Sequence, residues 1–546
     1  MTPPRAPAPA GAASGRRRWL AMVVISLGVS LIVVDATIVG VVLPQMVDGL
    51  GLTTSDAEWV NSVYALVFAA LLIPFGRAAD VIGRRRVFVL GVTVFMVASV
   101  LAALAQSAPQ LIGSRALQGV GASMIMPATL STVNAMFTGR DRAVAFGIWG
   151  SLISGMAALG PLLGGALATG GGWRWAFGVN LPLGVLLIAG AFALMPETRL
   201  PGAGPRGIDW LGGLLSVLGL GAVVCGIIEG QTYGWWTPNP SAGGGSIAGL
   251  SPVPVVLALG AVLLTALVIV ERARAAAGRP VLLDLTLFQI PNFRRGNLAG
   301  ALINVGELGL VFVLPLFLLG VHGTSPLQIS LALLPLALGA FLSGGYAGRL
   351  AGKRGAHRAV QIGMVMEVVA VLALALTITA STGGLGLAPW MLLYGLGLGL
   401  TSAQLTNVSL ADVPPEHAGQ ASGTQSTARQ VGAALGIAVI GTVFATSLGH
   451  AMNDRLENAG LPAEQRAAIA HDLRESAGTY AREAHLTPAV AAAADESLAT
   501  AARRGALATA LILAAGLALS LRLRPSSDRH RGQSEPETLS SHENQR

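Results

Sequence analysis

Apolar stretches of about 20 residues, the length a helix needs to cross roughly 30 Å of hydrocarbon, recur along almost the whole chain and alternate with short polar connections. They predict spans near 19–44, 58–79, 87–106, 111–135, 143–169, 174–195, 208–229, 250–271, 296–320, 328–349, 357–380, 387–411, 418–447 and 504–523. The count is fourteen. The first run follows Arg16, Arg17 and Arg18 and resembles a signal peptide, but at about 25 residues it exceeds a signal h-region and reads as an uncleaved span.

The polar connections differ in a regular way. Alternate ones carry Arg77, Arg84, Arg85 and Arg86, then Arg140 and Arg142, Arg199 and Arg206, a run from Arg272 to Arg295, and Arg349 to Arg358. The intervening short ones carry almost none, so the positive-inside rule places both termini in the cytoplasm of a multi-pass plasma-membrane protein. Trp235 and Trp236 then fall at the outer interface. Residues 1–18 and 524–546 read as disordered cytoplasmic tails. The outer stretch 448–502 mixes Ala with charges at helical spacing, which fits one or two exposed helices capping the last spans or, alternatively, a ligand-binding domain.

Composition agrees: 53% of the 546 residues are hydrophobic and 11% charged, against about 25% charged in soluble domains. The net charge of +8 comes from cations between spans, Lys353 being the single lysine, so it marks topology and not a nucleic-acid footprint. Cys225, the one cysteine, lies in an apolar run, which removes disulfides and thiolate metal sites. Eight scattered histidines offer no metal spacing, and there is no HExxH or GxSxG motif, so neither a metal nor an enzyme active site is expected. The Gly352-Lys353-Arg354 stretch lacks the leading Gly and the Ser/Thr of a P-loop, which excludes ATP as the driving force.

A repeat organises the spans. Gly76-Arg-Ala-Ala-Asp80-Val-Ile-Gly83-Arg84-Arg85 after span 2 has a counterpart in Gly345-Tyr-Ala-Gly-Arg349-Leu-Ala-Gly352-Lys353-Arg354 after span 10, pairing Asp80 with Arg349. The expected architecture is all-α: a six-span half at 19–196, two inserted spans with linkers at 197–295, and a second six-span half at 296–523. Parallel repeats of this kind mark transporters that rock about a central site.

Charged residues inside spans are costly and point to function. Asp35 lies about 13 Å inward from Pro44, and Arg115 about 7 to 8 Å from the outer start of span 4, counting 1.5 Å per residue. Both sit in the outer half of one repeat. They can form a protonation switch or, on the blander reading, a static interhelical ion pair. Glu307, Glu367 and Arg429 fall near the midplane of spans 9, 11 and 13. Glu307 is taken as the second coupling carboxylate and Glu367 as structural or paired at a helix interface; Arg429 can offset either, and Gln430 can hydrogen-bond a substrate or a neighbouring helix. Asp80 ends a helix where another helix N-terminus or Arg84 can hold it, and Gly83 permits the tight turn. This makes the Gly76–Arg86 loop a gate latch, or a loop made basic by topology alone. Gly160-Pro161-Leu-Leu-Gly164 is a close-approach step with a proline bend.

Several motifs resemble a known family. Gly76-x-x-x-Asp80-x-x-Gly83-Arg84-Arg85, Leu111-x-x-x-Arg115-x-x-Gln118-Gly119-x-Gly121-Ala122 and Gly155-x-x-x-x-Gly160-Pro161-x-x-Gly164-Gly165 are similar to helix 2–3, helix 4 and antiporter helix 5 motifs of the major facilitator superfamily. Asp35-Ala-Thr37-Ile38-Val39 with Leu43-Pro44, Trp173-Arg174-Trp175-Ala-Phe177 with Asn180 and Pro182, Ile208-Asp209-Trp210-Leu-Gly212 and Thr427-Ala-Arg429-Gln430-Val-Gly432 resemble its fourteen-helix drug:proton antiporters of the EmrB/QacA type. Gly40 departs from the Asn usual there, weakening a polar contact beside Asp35, and no acid is seen in span 10. The resemblance implies a monomeric, proton-coupled exporter of hydrophobic small molecules, cationic ones included, with no cofactor. Asp35, Arg115 and Glu307 would couple protons; Thr37, Gln118, Glu367, Arg429 and Gln430 would line the substrate path. A dedicated exporter of a self-made metabolite is the alternative, and a non-transporting sensor the rival class.

Overall fold

The computed structural model describes residues 15–198, 209–239, 247, 249–324, 326–459, 461–475 and 487–525. Arg199, Arg206, most of both tails and 476–486 of the outer stretch lie outside the described residues. The helices are α1 (Gly15–Leu50), α2 (Thr54–Ile82), α3 (Arg84–Ala103), α4 (Ala108–Met136), α5 (Gly139–Gly170), α6 (Trp175–Gly178), α7 (Asn180–Leu194), α8 (Trp210–Tyr233), α9 (Pro252–Ala276), α10 (Pro291–His322), α11 (Pro326–Arg354), α12 (Ala356–Thr377), α13 (Gly384–Ala411), α14 (Ala418–Asn458), α15 (Ala463–Glu475) and α16 (Pro488–Ser520). Arg16, Arg17 and Arg18, expected in a disordered tail, already belong to α1.

Among the described residues, twelve helical segments are long and apolar enough to cross a membrane, α6 and α7 counting as one. The expected count of fourteen included α4 and α5, which are not among the twelve. They are nonetheless 29 and 32 residues long and packed into the bundle. In α4 the apolar pattern is diluted by Gln110, Arg115 and Gln118. The outer stretch is built largely by extending spans: α14 runs 41 residues, and its Leu456 is buried with Leu473 of α15 and Ala494 of α16.

Helix ends follow local chemistry. Thr53 and Asp56 form a reciprocal capping box at the start of α2, satisfying donors a helix leaves open. Between α2 and α3 the chain turns on Gly83 at φ 123°, and between α11 and α12 on Gly355 at φ 89°, where a side chain would be strained.

Two halves repeat the same packing. In the first, α4 packs on α2 and α3, and α1 on α5 and α7; in the second, α13 packs on α11 and α12, and α10 on α14 and α16. The halves meet along two seams, α2 with α14 and α5 with α11. The inserted pair α8 and α9 pack on each other, and α8 covers α2 and α14.

Close approaches of glycine fix which residues correspond. A Cβ on Gly121 would meet the Gly91 carbonyl oxygen (2.8 Å) and Phe95 N (2.8 Å), and one on Gly397 would meet the Gly363 carbonyl (2.5 Å) and Glu367 N (2.9 Å). Glu367 therefore occupies the place of Phe95. A Cβ on Gly119 would meet the Tyr64 carbonyl and one on Gly395 the Leu336 carbonyl, so Tyr394 occupies the place of Gln118. These registers shift the sequence repeat by three residues. Gly355, not Gly352, matches Gly83, and Gly352, not Arg349, matches Asp80. The glycine spacing misled because it ignores which glycine makes the turn.

Candidate functional site

Asp35 is fully buried in α1 and receives three N–H donors. Arg115 Nη1 donates to its Oδ2 at 2.6 Å, and Gln118 Nε2 (3.0 Å) and Asn180 Nδ2 (2.7 Å) donate to Oδ1. The donors are themselves fixed. Arg115 Nη1 also donates to Gln118 Oε1 (2.7 Å) and Nε to the Val60 carbonyl (3.2 Å), with the Tyr64 ring 4.3 Å from the guanidinium. Gln118 and Asn180 both reach the Ser99 hydroxyl, at 2.9 and 3.1 Å. A site made only of donors fits a carboxylate anion. The sequence placed Asp35, Arg115 and Gln118; it had no role for Ser99 or Tyr64, which look ordinary in their helices. Asn180, a lone polar residue opening an apolar run, carried a readable signal. Gly40 is exposed, and nothing lies within 4 Å of where its Cβ would be; the polar contacts to Asp35 come from α4 and α7 instead.

Thr37, two residues further along α1, donates to the carbonyls of Val33 (2.9 Å) and Val34 (3.1 Å). A Cβ on Gly160 would collide with its side chain, and one on Gly164 would meet Ile38. The expected close-approach step thus presses α5 against the segment of α1 that holds Asp35. Gly155 instead faces Phe341 of α11, in the other half. Pro161 and Gly165 belong to the same helix; their surroundings fall outside the described residues.

At the end of the bundle bearing the α2–α3 turn, Asp80 is buried and binds the other half. Its two oxygens accept from Gly419 N (2.9 Å) and Gln420 N (3.1 Å) at the start of α14, and Arg84 Nη2 donates to Oδ1 (3.1 Å) and to the Pro415 carbonyl (2.9 Å). An acid on a helix N-terminus is stabilised by its unpaired N–H groups and dipole. Gly76 allows the contact, because a Cβ there would strike the Gly419 carbonyl. Arg85 turns away to the Met195 carbonyl (3.3 Å) and lies 3.8 Å from Glu197. The inserted pair is tied in as well: Arg274 of α9 pairs with Asp209, the N-cap of α8, at 2.8 Å, and Asp284 N donates to Gln420 Oε1 at 2.8 Å. Beside the α5–α11 seam, Arg142 Nε of α5 donates to Asn407 Oδ1 of α13 at 3.0 Å. This end is closed.

The second half arranges its acids otherwise. A Cβ on Gly160 faces the Val34 carbonyl (3.4 Å) and one on Gly436 the Val305 carbonyl, so Gly306 stands in the place of Asp35 and Glu307 in that of Ala36. One residue turns the acid by roughly 100° around the helix. Arg429 acts on Glu307 electrostatically, without an ion pair within 4 Å, and Glu307 Oε2 is buried with no hydrogen-bond partner. Arg429 lines a small cavity with Asn304, Ser402, Thr406 and Gln425, with room for about one water. Gln430 is half-buried on α14. Glu367 is fully buried between α12 and α13, with neither oxygen hydrogen-bonded, and among the described residues no cation pairs with it.

Comparison with known proteins places this geometry. The family model described as Major Facilitator Superfamily matches residues 25–437. The chain is 33% identical over 467 residues to the probable actinorhodin transporter of Streptomyces coelicolor, covering 82% of this chain and 77% of that one. It is 34% identical over 478 residues to the multidrug efflux pump LfrA of Mycolicibacterium smegmatis, covering 87% and 89%. Its fold is similar to that of the human organic anion transporter MFSD10 (TETRAN), with TM-score 0.58 and 15% identity over 91% of this chain and 99% of that one.

Proposed function

Because this chain belongs to the Major Facilitator Superfamily and is a membrane-embedded transporter, we propose that it is a proton-driven exporter of small hydrophobic molecules, cations among them, of the fourteen-helix EmrB/QacA type. On this reading α4 and α5 complete the fourteen spans, both termini lie in the cytoplasm of a plasma-membrane monomer, and the closed end is the cytoplasmic one.

The observation that carries the reading is the Asp35–Arg115 contact, buried at 2.6 Å among donors only. A proton arriving at Asp35 removes the charge that Arg115, Gln118 and Asn180 hold, so the cluster must rearrange. A buried guanidinium left without its partner is costly, about 3–5 kcal/mol. Protonation is thereby linked to movement of α1 against α4. Gly160 and Gly164 bring α5 to the same segment of α1, and Gly155 passes the movement to α11. Asp80, holding the start of α14, is the latch that must release for the other access state. Glu307, beside Arg429 and the cavity, meets the positive charge of a cationic substrate; Thr37, Gln118 and Gln430 supply polar contacts along the path. Exchange follows when binding of a proton and of substrate favour opposite states.

The test uses the purified full chain in vesicles with ethidium as probe. An imposed pH difference is expected to drive ethidium across, and an ionophore that collapses pH difference and voltage together is expected to stop it. Extrusion that persists after collapse overturns the reading. The Streptomyces coelicolor relative, a probable actinorhodin transporter, favours a second reading: dedicated export of one self-made antibiotic. A growth-inhibition panel in cells lacking their own pumps separates them, since a dedicated exporter protects against one compound class only.

A further inference from the structure

Among the described residues, Glu367 is the most buried carboxyl that this mechanism leaves unused. Its side chain has no solvent access, and both oxygens are enclosed without a hydrogen-bond donor. The Thr401 hydroxyl of α13 faces Glu367 but is taken up by the Gly397 carbonyl, to which it donates at 3.0 Å. Among the helices packed against α12, α13 presents Tyr394, whose hydroxyl is likewise buried and unpartnered. From α16, Arg503 donates to the Ala375 carbonyl at 3.2 Å, about two turns along the helix from Glu367. Tyr346 of α11 is half exposed. Glu307 of α10 adds a second acid within electrostatic range. Among the described residues no cation reaches Glu367.

An ionised carboxyl so placed would forfeit its hydration with nothing in return, a penalty of several kcal/mol. A carboxyl that keeps its proton avoids it. The position does not need an acid for packing either, since the first half fills the same place with Phe95. Tyr394, moreover, stands where Gln118 stands in the first half, and Gln118 is a donor to Asp35. The second half thus repeats an acid and its donor with the acid moved from the first helix of the repeat to the third.

We propose that Glu367 is a second proton-binding site, loaded in the conformation seen here while Asp35 is empty, and that each export cycle moves two protons. The proposal rests on the export reading above. The proton sits on a carboxylate oxygen and leaves as such, with Tyr394 donating its O–H to the anion when the α12–α13 crossing at Gly363 and Gly397 opens.

Wild type, Glu367→Gln, Glu367→Phe and Asp35→Asn are compared in ethidium-loaded vesicles with the voltage clamped at zero. One pH unit should hold an ethidium gradient of about 100-fold for two protons and about 10-fold for one, each tenfold being 1.4 kcal/mol. Wild type is expected near the larger value, both Glu367 variants near the smaller, and Asp35→Asn near none. Infrared difference spectra give a readout that does not need transport: a carboxylic C=O band that responds to pH in wild type and in Asp35→Asn, and is missing in Glu367→Gln. A Glu367→Gln protein that holds the wild-type gradient, or a wild-type spectrum whose band survives in Glu367→Gln, overturns the proposal. Wild type that moves no ethidium under a pH difference sinks the export reading instead, and the infrared band alone then decides Glu367.

Discussion

The two halves of the bundle share a packing scheme and treat buried acids in opposite ways. In the first, Asp35 is surrounded by Arg115, Gln118 and Asn180, all donating. In the second, Glu367 meets no donor and Glu307 has one oxygen without a partner. Burial alone therefore does not define a coupling site. What distinguishes the two is which protonation state each surrounding stabilises: donors hold an anion, whereas an apolar crossing holds a neutral acid. A pair of sites poised in opposite states is what a cycle that takes up and gives off protons requires.

The largest effect is expected from erasing the first site. Asp35→Asn should abolish pH-driven transport, at least about 100-fold, and lower stability by about 3–5 kcal/mol by stranding Arg115. Replacing both partners, Asp35→Leu with Arg115→Met, should recover most of that stability, because an apolar pair of similar volume is close to neutral, and none of the transport. Melting curves and vesicle assays read the two separately; recovered transport would mean the pair is not the coupling site. For Glu307→Gln, loss should fall on cationic substrates alone, about tenfold in resistance, so equal loss for a neutral compound would contradict its assignment.

The latch differs between halves as well. Asp80 caps α14, but its counterpart Gly352 only abuts the Arg140 side chain at the start of α5. Asp80→Asn removes an acid–helix contact worth up to about 2 kcal/mol, which should shift the closed population severalfold. Spin labels at Arg86 and Lys353, placed after replacing Cys225, would report a longer distance across that end; an unchanged distance would assign the closure to the α5–α11 seam. The smallest effects concern close packing. Gly436→Ala would push on a backbone carbonyl, that of Val305, while Gly160→Ala would push on the Thr37 side chain. The first should cost more, within about 1–3 kcal/mol, and Thr37→Ala should relieve only the second, and only in part, because the Cβ at position 37 stays 2.8 Å away.

Much of this was legible in sequence. Helix positions followed from apolar run length, and Asp35 and Arg115 stood out because an ionisable residue in a span is rarely accidental. The facing of each residue was not legible. Glu307 and Gly306 differ by one position, yet only the helix rotation decides which occupies the place of Asp35. The same holds for Glu367, where a neighbouring helix's glycine determines the enclosure. The repeat register failed by three residues because Gly352 and Gly355 are equivalent as letters, and only the second has the backbone angle of Gly83.

The inserted helices have an effect on access from the lipid. Since α8 lies over the α2–α14 seam, a molecule dissolved among the acyl chains meets that flank as a wall. At the α5–α11 seam, Leu159 and Leu163 of α5 and Phe341 of α11 stay exposed. Among the described residues the bundle is two-fold in its packing but one-sided in its cover, because the inserted pair shields one boundary between the halves and leaves the other bare.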